Sequence, residues 1–181
     1  MKVLCSDHVD VDAPADAAFA FATDITRWPL WFTPVVCAQH PESLPLAVNE
    51  ELLLCLHAGR RRWQERFEVT RLVRNAFISL EGAFSAARRI DFRFEQRGRQ
   101  TRVACAMGYP VFGGAIARFF DSLFRKRRVQ SEVSDSLHRL KALVEERLHV
   151  SPLEDDIPGA ALPMPAFLSP AEELEVPIAA H

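Results

Sequence analysis

The sequence predicts an α+β fold in which a curved antiparallel sheet packs on one long C-terminal helix, leaving an internal cavity between the two layers. Runs such as Arg61–Val69 and Arg88–Glu95 alternate polar and apolar residues at period two, as half-buried strands do. Short turns separate consecutive runs, which favours an antiparallel meander over a parallel sheet. From Phe112 to Leu148 there is no proline, and apolar residues recur at helical spacing through Phe119, Leu123, Val133, Leu137, Leu140, Val144 and Leu148. A helix gripped by a sheet encloses space, so the functional question is what fills it.

Taken in order, Lys2–Val11 reads as a first strand, with Val9 and Val11 on one face and His8 and Asp10 on the other. Asp12 offers an N-cap, Pro14 suits a first turn and Asp16 complements the dipole of a short helix through Phe19 and Ala22. Thr23-Asp24-Ile25-Thr26 breaks that helix, and a second short helical segment carries Trp28, Leu30, Trp31 and Phe32 before Pro34. Strands are then predicted over Val35–Gln39, Glu51–His57, Arg61–Val73, Phe77–Phe84, Arg88–Gln96 and Thr101–Tyr109, with Pro110 stopping the ladder. The expected order is β-α-α-β-β-β-β-β-β-α, without internal repeats.

With 181 residues and 49% hydrophobic content, the chain is long enough for one domain with a substantial core. The net charge of −2 conceals an asymmetry. Residues 150–181 hold six acidic residues, no Lys or Arg, and six of the 12 prolines. The domain is therefore expected to span residues 1–149, followed by a Pro-rich acidic tail that is disordered or extended. The tail's segment Leu162–Leu168 is apolar enough to dock. The body's mild positive balance does not indicate nucleic acid, and no nucleic-acid partner is expected. Acidic residues arrive early, so no secretion signal is read at the N-terminus, and no run reaches membrane-spanning length. The expected location is cytoplasmic, where Cys5, Cys37, Cys55 and Cys105 would be buried, reduced thiols.

The segment Val9-Asp10-Val11-Asp12-Ala13-Pro14-Ala15-Asp16 followed by Phe19, the pair Thr23-Asp24 followed by Trp28 and Trp31, then Tyr109, Gly113-Gly114 and Ser136–Lys141, resembles the START-like SRPBCC superfamily. Within it, the chain is similar to the polyketide cyclase/dehydrase and lipid-transport branch. The resemblance runs from Val3 to Leu148 and rests on the ordering of these motifs, none of which is decisive alone. It implies a helix-grip fold with an internal apolar pocket. It does not imply one activity, because the fold hosts carriers, cyclases, hormone receptors and chaperone activators.

Side-chain parity then selects candidates. Glu65 shares a face with Trp63, Phe67 and Val69, while Arg62, Gln64, Arg66 and Glu68 form the opposite, solvent face. A carboxylate among apolar neighbours would have a raised pKa suited to proton transfer or to holding a ligand hydroxyl. The plainer alternatives are an outlet to water or an arginine partner. Arg88 is in phase with Ile90, Phe92 and Phe94 and, at its strand's start, can either meet a ligand or snorkel outward. Tyr109 shares a face with Val103, Cys105 and Met107 and offers a phenol to a ligand oxygen. Glu65, Arg88 and Tyr109 are thus the candidate catalytic residues. Trp31, Trp63, Phe67, Phe92, Phe94, Met107, Phe120 and Gln130 are the candidate ligand-binding residues. Gln130 and Lys126 interrupt the apolar helix stripe, as a cavity wall or a solvated overhang would.

Arg60-Arg61-Arg62 and Arg125-Lys126-Arg127-Arg128 read as solvated faces, with an acidic lipid headgroup or the acidic tail as the alternative partner. No nucleophile-elbow, phosphate-loop, dinucleotide or zinc-protease motif occurs, and no histidine has metal-ligand spacing. Neither cofactor nor metal is implied. The expected partner is a hydrophobic small molecule, lipid or polyketide-like, carried or sequestered in the cavity. The alternative is a cyclase/dehydratase-type enzyme acting by acid/base catalysis in the same cavity. Transient membrane contact is compatible with either, and the oligomeric state is not encoded in any legible feature.

Overall fold

Each period-two run folds as a strand, and the strands pair into one antiparallel sheet. The computed structural model describes residues 2–39, 46–83, 85–110 and 125–150. The strands are β1 (Lys2–Val11), β2 (Val35–Gln39), β3 (Glu51–Ala58), β4 (Arg61–Val73), β5 (Phe77–Gly82), β6 (Ser85–Arg97) and β7 (Gln100–Pro110). Helices α1 (Ala15–Thr23) and α2 (Trp28–Trp31) lie between β1 and β2, joined by a 3₁₀ turn at Ile25–Arg27, and α3 (Lys126–Val150) follows the sheet. The sheet order is β1-β7-β6-β5-β4-β3-β2, a meander whose first strand closes against its last. Register shifts at Val35/Cys37, Val69/Arg71 and Glu81/Gly82 mark irregularities of the kind that bend strands and deepen twist, and the sheet curls into a half-barrel. The turns use left-handed residues where expected: Asn75 between β4 and β5, Gly59 between β3 and β4, and Gly98 between β6 and β7.

The predicted faces hold. Glu65, Phe67 and Val69 are buried while Arg62, Gln64, Arg66 and Glu68 are exposed. The other face of the sheet carries ion pairs such as the bidentate Arg102–Asp10 contact at 2.8 and 3.0 Å. That contact holds the Asp10 carboxyl below its ordinary range and raises Arg102. On α3, Val133, Leu137, Leu140 and Val144 are buried. Farther along, the Lys141 ammonium donates to the Asp10 carbonyl at 2.6 Å, and the Asp12 N–H donates to Glu145 Oε1 at 2.7 Å, anchoring the helix to the end of β1.

Several expectations change in detail. Pro14, not Asp12, is the cap residue of α1, and its side chain offers no hydrogen bond. The orphan amide of Ala15 is satisfied instead from β6, by Gln96 Oε1 at 2.6 Å, a tertiary partner that local sequence cannot reveal. Strand β6 begins at Ser85, so Arg88 lies inside it rather than at its start. Leu148 of the predicted helix stripe is 37% exposed, past the end of the buried face. The predicted helical segment before Arg125, including Phe120, and the tail from Ser151 onward lie outside the described residues.

The thiol reading of two cysteines is also corrected. Cys37 and Cys55 are half-buried, face each other across the β2–β3 ladder and form a disulfide. The strand register brings them together, and single-cysteine spacing carries no trace of it. Cys5 and Cys105 are buried thiols. Burial drives the Cys105 pKa far upward, with the Asp91 and Asp7 charges adding to it, so the reactive thiolate is suppressed. Alkylation of the folded, unreduced protein should therefore leave all four cysteines unmodified. Denaturation should expose Cys5 and Cys105, and reduction should add Cys37 and Cys55, each step read as a mass increment; alkylation of Cys37 in unreduced protein would contradict the disulfide.

Candidate functional site

One aromatic cluster divides the interior. Trp28, Trp31, Phe32 and Phe92 pack mutually at ring-centroid separations of 5.2 to 6.1 Å, and Phe19 meets Phe94 at 5.3 Å. The Trp28 indole N–H donates to the Ala22 carbonyl at 2.8 Å, which fixes the cluster to α1. These rings fill the interior at that level.

Beyond the cluster, between the sheet and the first turns of α3, a cavity of about 590 Å³ opens. Its apolar wall comes from Leu56 on β3, Trp63 and Phe67 on β4, Ile90 on β6, Met107 on β7 and Val129 on α3. The register sets neighbouring positions of this wall side by side: Leu56 lies opposite Trp63, and Ile90 opposite Met107. The helix contributes Arg125, Arg128, Val129 and Glu132, residues spaced as one helical face. That face lies beside the one holding Lys126 and Gln130.

Polar groups are confined to particular places. Glu65 is only 4% exposed and is ion-paired to the Arg88 guanidinium. It also accepts the Trp63 indole N–H at 3.2 Å, and Arg88 stands 5.5 Å from the Trp63 ring centroid. Both partners of this carboxylate are donors, so Glu65, Arg88 and Trp63 form one interlocked unit. Tyr109 is nearly buried, and the Arg125 guanidinium lies 4.5 Å from its ring centroid. His57 lies within hydrogen-bonding distance of the Thr33 carbonyl, 2.7 Å from Nε2. A carbonyl only accepts, so Nε2 carries the proton. Ser136 on α3 accepts the Thr33 N–H at 2.9 Å and ties the loop after α2 to the helix below the cavity.

The candidates read from sequence therefore separate. Trp63, Phe67, Met107, Arg88 and Tyr109 come together around the cavity. Glu65 stands behind Arg88 and Trp63 and is not itself among the lining residues. Trp31, Phe92 and Phe94 are in the packed aromatic interior. Gln130 donates to the Ser6 carbonyl at 2.9 Å, alongside strand β1 at the sheet edge. Sequence reasoning did not single out Leu56, His57 or Val129, nor place Arg61, Arg125 and Arg128 at the cavity. Leu56 was visible as the last apolar member of the alternating set Leu52, Leu54, Leu56; the arginines gave no signal beyond their charge.

Among the described residues, no group of His, Cys, Asp and Glu could hold a metal ion, and no helix is long and apolar enough to cross a membrane. A half-barrel sheet, a C-terminal helix and a cavity between them are the features of a helix-grip fold. Residues 3–145 match the family described as polyketide cyclase/dehydrase and lipid transport. The chain belongs to that family.

Solved structures with the family's fold agree. The chain is similar to TTHA0849 from Thermus thermophilus, at a TM-score of 0.63 and 15% identity over 82% of this chain and 99% of that one. It is similar to the Zhui aromatase/cyclase from Streptomyces sp. R1128, at a TM-score of 0.58 and 14% identity over 82% and 96% of the two chains. The di-domain ARO/CYC StfQ from the steffimycin biosynthetic pathway aligns at a TM-score of 0.64 and 17% identity, covering 82% of this chain and 52% of that one. At such identities these similarities establish the fold. A search of curated protein sequences finds no match.

Proposed function

We propose that this member of the polyketide cyclase/dehydrase and lipid transport family binds an apolar small molecule in the cavity, as a carrier or sequestering protein. The observation that carries the reading is the set of apolar residues Leu56, Trp63, Phe67, Ile90, Met107 and Val129 lining a volume of about 590 Å³. That volume suits a small ligand, and apolar lining with a few placed polar groups is the general pattern of such sites. Organic extraction of the purified protein, with native mass spectrometry in parallel, should yield a co-purifying apolar metabolite.

Trp63 is the residue whose loss should show most in binding. It packs at the cavity wall, half-buried, with its ring beneath Arg88. Trp63→Ala should weaken binding of an apolar fluorescent probe by about tenfold, the scale of losing an aromatic contact surface of ~2 kcal/mol or less. Unchanged affinity in a folded variant would remove Trp63 from the ligand site.

A second reading, cyclase/dehydratase-type chemistry, is favoured by Tyr109 and Arg88 at the same wall. A phenol and a guanidinium there can polarise a substrate carbonyl by hydrogen bonding. Binding without turnover supports the carrier; turnover lost in Tyr109→Phe with binding retained supports the enzyme.

A further inference from the structure

We infer that the cavity's ligand is an amphiphile with an anionic headgroup, a carboxylate or phosphate, seated where the β3–β4 hairpin meets the start of α3. The inference rests on the reading of the cavity as a ligand site and specifies its ligand class. Two basic clusters far apart in sequence converge there: Arg61 enters the lining from the hairpin, and Arg125 and Arg128 enter it from the helix. The approach is close, since a Cβ added to Gly59 in the hairpin turn would stand 3.0 Å from Arg128 Nη1.

Among the described residues, the charged groups lining this end are mostly positive. Five arginines line the cavity, and Glu132 is the one carboxylate lining it among the described residues. Two of the five are held elsewhere in the sheet, Arg88 by Glu65 and Arg89 by Asp91 and Glu81. Glu132 takes Arg128 through Nε at 2.8 Å, and Arg128 Nη1 lies beside Gly59 in the hairpin turn. Arg61 forms no ion pair among the described residues. Like charges gathered from separate elements repel, and an anion between them offsets that repulsion while the planar guanidinium forks supply paired donors. The adjoining wall of Leu56, Trp63 and Met107 takes an apolar body. A neutral hydrocarbon would leave the arginine end unused, and a bare anion would leave the apolar wall unused.

The test is displacement of an apolar fluorescent probe by dodecanoate, dodecyl phosphate, dodecanol and inorganic phosphate. Dodecanoate and dodecyl phosphate should bind about tenfold tighter than dodecanol, the scale of one or two charge-assisted hydrogen bonds, and the preference should shrink as salt is raised. The double variant Arg61→Gln/Arg128→Gln should lose the preference, dodecanoate then binding no tighter than dodecanol. Glu132→Gln should strengthen dodecanoate binding and widen its preference over dodecanol, a gain that damage to the fold would not produce. Dodecanol binding as tightly as dodecanoate, or a preference that survives in the double variant, overturns the inference and leaves the apolar cavity standing. Displacement by inorganic phosphate as strong as by dodecyl phosphate also overturns it. If neither the probe nor any alkyl compound binds, the ligand-site reading falls first and the inference with it.

Discussion

Phe92→Ala is expected to destabilise the protein by about 3–5 kcal/mol, the range for truncating a buried aromatic residue. Phe92 is fully buried and packs edge-on against Trp28, Trp31 and Phe32 at 5.9, 5.5 and 5.6 Å between centroids. Those three rings belong to the segment between β1 and β2, so they cannot all move to fill the space without unseating α2. Thermal or denaturant unfolding measures the loss, expected as a fall in the melting temperature of roughly 6 °C or more. Leu30→Ala is the control: Leu30 is 63% exposed, and its removal should change stability by less than ~0.5 kcal/mol. A loss at Phe92 of under ~1 kcal/mol would mean that the aromatic cluster collapses into the gap.

Arg88→Ala should be nearly as costly, by about 3–5 kcal/mol, because it strands a buried carboxylate. Among the described residues, Glu65 would keep only the Trp63 indole N–H as a partner. The lower end of the range is expected, since the Arg88 side chain is 32% exposed and water can reach its site. Replacing both residues by leucine should recover most of the loss, as removing a whole buried pair commonly does. A thermodynamic cycle over the two single variants and the double variant isolates their coupling. Additive effects would show that the pair contributes nothing as a pair. The same residues test the proton-transfer role of Glu65. If that role exists, Glu65→Gln should lower turnover by ~10²-fold or more. A structural role instead predicts a stability loss without any change in catalysis.

What the sequence by itself determined is what local periodicity encodes. Alternation over Arg61–Val73 and Arg88–Gln96 identified those strands and assigned Glu65 to the buried face, and apolar residues at helical spacing predicted the long helix. These signals survive because a strand repeats every two residues and a helix every 3.6, whatever surrounds them. The family resemblance added the fold's overall form, which the match over residues 3–145 bears out.

Tertiary structure alone decided the rest. Parity says which face a residue occupies but not how far along a curved sheet it lies. Phe92 and Met107 both point to the concave side, yet one is sealed in the aromatic cluster and the other reaches the cavity. Strand register paired Cys37 with Cys55, and side-chain reach across the sheet joined Arg88 to Glu65. Neither depends on spacing within a single element. The seating of the helix against the sheet placed Arg125, Arg128, Val129 and Glu132 at the cavity and Gln130 beside strand β1. A shift of one residue turns a helix by about 100°, so a small rotation of α3, invisible in its sequence, decides which charges the ligand meets.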